Sequence, residues 1–158
     1  MSNKKAQEKK QASNWGNAEP FVHWVGRLCW AFIVGALTLN AYFLITHVIN
    51  IIRGAYSPAT LSFRVIPLVV WFSISVGMLV VSLIMYGIKF SNLCKEYDWE
   101  TPVNNVIHFG TLRVPKMLFF GIITGVFGFG FGAAGFIVPF ILLITMGPTK
   151  VDWKEEGK

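Results

Sequence analysis

Charged side chains are scarce in this sequence, at 14% of 158 residues, where a soluble globular domain carries about a quarter. The scarcity is uneven as well. Leu28–Ile52, Val65–Ile88 and Met117–Thr149 contain no Lys, Arg, Asp or Glu, which excludes a water-soluble fold whose helices each need a polar face. No carboxylate stands inside these segments to serve as an intramembrane proton carrier. Cysteine is nearly absent: Cys29 and Cys94 are isolated, without Cys-x-x-Cys spacing, so neither a disulfide framework nor a thiolate metal site is expected. Also missing are the Gly-x-Ser-x-Gly elbow, the phosphate loop and the His-Glu-x-x-His pair. No catalytic residue, metal ligand or cofactor is assigned, and the chain reads as non-enzymatic.

What the sequence does contain is apolar length. The first two uncharged segments are each about 25 residues, or roughly 36 Å of helix against a hydrocarbon core of about 30 Å. Backbone groups cannot stay unpaired in lipid, and the alternation of a β-barrel is not present, so helices are expected. The predicted fold class is all-α: a small polytopic helical membrane protein with three transmembrane helices at about 28–52, 65–88 and 117–146. The third is read as one long, Gly-rich helix, because each half of it falls short of the roughly 20 residues that a crossing needs. A re-entrant hairpin is the alternative.

Positive charge sets the orientation, since short cytoplasmic loops retain Lys and Arg. Lys4, Lys5, Lys9, Lys10 and Arg27 precede the first span; Lys89, Lys95, Arg113 and Lys116 follow the second. With three crossings, the N-terminus lies in the cytosol and the C-terminus outside. Residues 1–17 read as a flexible basic cytosolic tail, 18–149 as one transmembrane domain with a cytosolic loop at 89–116, and 150–158 as a short polar tail. The first span is too long for the apolar core of a cleaved signal peptide and is expected to remain as an anchor. In the loop, Thr101 and Pro102 suggest a helix start and Gly110 a stop, with Val103, Val106 and Ile107 on one side. The net charge of +6 is explained by orientation and lipid headgroups, so nucleic acid is not an expected partner.

Two patterns are candidates for function. Asn40, His47 and Asn50 share roughly one face of the first span; interhelical hydrogen bonding is the plain reading, a polar pathway the sharper one. Haem held between histidines would need a pair at one depth, and His23, His47 and His108 do not supply one. The second pattern is a strip of Gly121, Gly125, Gly128, Gly132 and Gly135, spaced by four and three. On one long helix it forms a smooth groove, with Phe120, Phe127 and Phe131 along one side and Phe129, Phe136 and Phe140 along the other. Helices in lipid associate by close contact, so a groove of this kind calls for a docked neighbour. Within the chain, Ala31 with Gly35 and Ser73 with Gly77 could supply it; a second copy or a foreign helix are the other choices. By architecture alone, small exclusion and immunity proteins of bacterial plasmids are built this way. The expectation is a multi-pass protein of the bacterial inner membrane acting through helix contacts on a partner membrane protein or on itself. It would serve as an accessory subunit or as an exclusion- or immunity-type factor. A homo-oligomeric pore, holin or small transporter component is the alternative, and a haem-bearing membrane anchor the second alternative.

Overall fold

The computed structural model describes the backbone of residues 2–110 and 112–148, with side chains from Asn14 onward. The tail expected at 150–158 and the side chains of Lys4, Lys5, Lys9 and Lys10 lie outside the described residues. The fold is mostly helical, as the fold class requires, and two helices are long and apolar enough to cross a membrane. Helix α1 (Ser2–Arg27) leads through Leu28 into α2 (Cys29–Ile52). Backbone bonds from Leu28 N to Trp24 O and from Phe32 N to Leu28 O carry the ladder across the junction. The buried positions Val22, Gly26, Cys29, Ile33, Ala36 and Asn40 step by four and three through both helices, the spacing that keeps one face inward. That stripe explains why residues 18–27 continue the helix. Upstream, where a flexible tail was expected over 1–17, the backbone is helical from Ser2. Lys, Gln, Ala and Glu are good helix formers, and extending an anchored helix avoids the cost of nucleation.

A turn at Gly54 leads to α3, which runs from Pro58 to Lys95, 38 residues or about 57 Å of helix. Ser57 opens it: its Oγ accepts from Thr60 N, and Pro58 occupies the first helical position. Two π turns, Leu61–Val65 and Leu83–Gly87, are set into α3. They match the burial pattern. Phe72, Ser75, Leu79 and Ser82 are buried at steps of three and four, whereas Tyr86, Phe90 and Cys94 follow Ser82 at steps of four. A face that recurs every four residues outruns an α-helix, and the wider π turn at Leu83–Gly87 takes up the difference.

The connection after α3 differs from the helix expected there. Asp98 Oδ1 accepts from Thr101 N, 3.0 Å away, and hydrogen bonding from the Thr101 side chain, then from its backbone amide, holds the Asp98 carboxyl below the usual carboxylate range. Only Glu100–Asn104 (α4) is helical. Val106–Phe109 (β1) and Leu112–Pro115 (β2) then pair antiparallel, Val106 with Pro115 and His108 with Arg113. Val106, Ile107 and Phe109 favour strand, and Gly110 turns the chain at φ +62°. The all-α fold therefore carries one small hairpin.

The largest departure is the third apolar segment, which is two helices rather than one. Helix α5 (Lys116–Phe127) ends at Gly128, a short 3₁₀ turn follows at Phe131–Ala133, and α6 (Ala134–Met146) runs back along α5. The stop is chemical. Phe129 and Gly130 both have positive φ, 54° and 77°, and Gly130 N donates to Gly125 O at 2.7 Å, the long closing bond of a Schellman motif. Three glycines among residues 128–132 weaken the helix by up to about 1 kcal/mol each relative to Ala, so the reversal prevails over continuation.

Candidate functional site

The tip of the α5–α6 hairpin is the point where Asn40 of the polar face meets part of the glycine strip. It lies against Ala36–Phe43, near the middle of α2. Asn40 is fully buried there. Its Nδ2 donates to Ala36 O at 2.9 Å and to Phe127 O at 3.1 Å. Phe127 closes α5, and a carbonyl in the last turn has no partner within its own helix. Asn40 supplies that partner from another helix. Its Oδ1 has none among the described residues.

His47 and Asn50 belong to a different cluster, although all three residues share a face of α2. His47 Nδ1 lies 3.0 Å from the Tyr56 hydroxyl, and Asn50 Nδ2 donates to the same oxygen at 3.4 Å. The His47 ring also stacks on Phe72. Tyr56 sits in the α2–α3 connection, so this group fastens the turn to the helix that precedes it. The sequence placed His47 and Asn50 on a helix face but gave no reason to choose Tyr56.

The glycine strip is covered by the chain itself. A Cβ on Gly121 would lie 2.6 Å from Ile137 of α6, and one on Gly125 would lie 3.1 Å from Ala133. Gly128 and Gly132 face the Thr124 backbone at the reversal, and Gly135 faces the Cys29 backbone of α2. The groove on a continuous helix does not exist, because the helix folds back at its centre. Of the proposed internal neighbours, Gly35 receives the Phe131 ring, whereas Gly77 has open space in front of it.

The two Phe ridges are likewise redistributed. Phe120, Phe136 and Phe140 are buried, and Tyr86 stacks on Phe120 and packs against Phe136, with ring centroids 5.2 and 5.8 Å apart. Phe127 meets Trp71. Phe129 and Phe131 remain about half exposed at the tip, beside Phe43, Phe72 and Phe32. Packing of Phe129 against Phe43 and Phe72 offsets the 1–2 kcal/mol or so that a non-glycine residue loses in the left-handed region.

Cys29 and Cys94 are buried free thiols, and Cys29 Sγ donates to Gly87 O at 3.1 Å. His23 stacks on Tyr97, far along the chain from the His47 cluster. Among the described residues no three His, Cys, Asp or Glu side chains gather as a metal site.

The Asn40 bond makes a measurable prediction. Asn40→Leu keeps the branched shape and leaves the Phe127 carbonyl bare, so the protein is expected to lose about 1–2 kcal/mol of stability. Thermal unfolding in detergent micelles reads this as a lower midpoint, and an unchanged midpoint would remove Asn40 from the tip's support.

Comparison of the chain with protein-family models, curated proteins and solved structures found no match.

Proposed function

We propose that this chain is an integral protein of the bacterial inner membrane with two crossing helices and one re-entrant hairpin. It works by contact with a partner membrane protein, as an accessory subunit or as an exclusion- or immunity-type factor. The reading is carried by the surface left after internal packing. Along α2 and α3 that surface is made of large apolar side chains such as Tyr42, Ile45, Ile74 and Ile84. Water does not sustain a surface of this kind on a monomer. Both ends of the hairpin lie on the side of Arg27 and Lys89, because α6 returns along α1. Among the residues described with side chains, Arg27, Lys89, Lys95, Arg113 and Lys116 fall on this side and Arg53 and Arg64 at the opposite end, which favours a cytosolic N-terminus.

A pore or small transporter is the competing class, and it needs a polar stripe open to water. Asn40 is instead spent on the hairpin tip, and His47 and Asn50 on Tyr56. Purification of the tagged chain from native membranes in mild detergent decides between the classes. A second membrane protein at fixed ratio is the expected result. Recovery as a lone monomer, or as a homo-oligomer that conducts ions in planar bilayers, would overturn the contact reading.

A further inference from the structure

Between α3 and α5, on the side away from α1, lies a cleft of about 340 Å³, within the size range of small-molecule sites. Its walls are apolar for most of their length, with Met78, Val81 and Met85 on α3 facing Phe119 and Ile123 on α5. Tyr86 and Phe120, stacked, form its floor. At one end the chemistry changes. Lys89, at the far end of the α3 wall, and Lys116, at the start of α5, both line the cleft, together with Asn105. No acidic residue lines it. Neither lysine side chain has an ion-pair or hydrogen-bond partner among the described residues. The first turn of α5 also has no side-chain cap, and beyond Lys116 N, which donates to Asn105 O, its amide donors add to the positive end.

The dimensions fit one kind of occupant. Met78 to Lys89 is about 16 Å along a helix, close to half of the roughly 30 Å hydrocarbon core and hence to the depth of one leaflet. Val81 and Met85 at the rim are largely exposed, so the cleft opens sideways, where lipid would lie. The Leu83–Gly87 π turn passes through this wall, an irregularity often found at functional sites. We propose that the cleft binds one acyl chain of an anionic phospholipid, with the headgroup phosphate held between Lys89 and Lys116.

The proposal rests on the membrane reading, and the test separates the two. Membranes containing the full chain are first washed with alkaline carbonate; release of the protein would overturn both readings together. Retained protein is then purified and titrated with phosphatidylglycerol or phosphatidylcholine of identical chains, bound lipid being counted by native mass spectrometry. Each lysine beside an anionic headgroup contributes about fivefold in affinity, so phosphatidylglycerol is expected to bind about 25-fold more tightly. The double variant Lys89→Gln/Lys116→Gln should abolish that preference, whereas Lys95→Gln, exposed and outside the cleft, should leave it intact. Val81→Trp should reduce binding of both lipids by filling the apolar part. A photoreactive residue in place of Met85 should capture lipid in native membranes. Absence of a preference in the wild-type chain, its equal loss in Lys95→Gln, retention of free fatty acid alone, or capture of a protein at position 85 would each overturn the assignment.

Discussion

Gly135→Ile is expected to destabilise the protein by about 3 kcal/mol or more, the upper range for forcing bulk into a packed contact. A Cβ at this position would lie 2.6 Å from the Cys29 Cα and 2.7 Å from its Cβ. The obstacle is mainly backbone, which cannot rotate aside as a side chain does. Helix α6 would have to leave α2, and the buried Phe136 and Phe140 that follow it would be drawn out of the core. Gly77→Ile, on α3 with nothing within 4 Å of an added Cβ, is the matched control and should stay within about 1 kcal/mol of the original chain. Thermal unfolding and protein abundance in membranes report both. Equal midpoints for the two variants would show that the α2–α6 contact is not tight. Because the glycine strip is buried within the chain, such variants should be lost through misfolding rather than accumulate as folded protein without a partner.

A second large effect is expected in labelling of intact cells, where the hairpin and a third crossing give opposite results. Cysteine at Pro148, just beyond α6, should be as shielded from a membrane-impermeant maleimide as cysteine at Lys95, while cysteine at Ser57 should react fully. All three positions are exposed, so protection would report the side of the membrane rather than burial. The native Cys94 is unsuited to this measurement because it is buried. Ready labelling at position 148 would restore the outside C-terminus expected from three crossings and remove the re-entrant hairpin.

Apolar length made the long helices legible. Uncharged runs bounded by Arg27, Arg53, Arg64 and Lys89 located α2 and most of α3, since charge is costly anywhere along a span-length helix in lipid. The stripe of Val22, Gly26 and Cys29 was present too, but the polar residues before it masked the continuation into α1. The reversal at Gly128–Gly130 was obscured by a real ambiguity. Glycines spaced by four and three suit a close helix contact, whereas glycines at 128, 130 and 132 suit a stop. Both meanings hold here: Gly121, Gly125 and Gly135 serve contacts, and Gly128 and Gly130 serve the turn. For the polar residues, helix geometry placed Asn40 on the buried side of α2, but its partner Phe127 lies 87 positions away. Nothing local to either residue specifies that pairing. The β1–β2 hairpin was missed because Thr101 and Pro102 do lie in the first turn of a helix, which begins one residue earlier than expected, at Glu100, and the Val-Ile-His-Phe run that follows was carried along with it.

The π turn at Leu83–Gly87 makes α3 two helices held out of phase by one extra residue. An α-helix advances about 100° per residue, so the register on one side of the turn does not predict the register on the other. The wider turn spends that residue without turning the helix further, so loss of a single residue here would let it relax to ordinary α geometry and leave everything beyond it facing as before. Tightening the turn at its present length would instead rotate Lys89, Phe90 and Cys94 together by about that angle, turning Lys89 away from Lys116 and Phe90 away from Phe136. The width of this one turn, more than the identity of any side chain in it, sets the angular relation between the two ends of the longest helix.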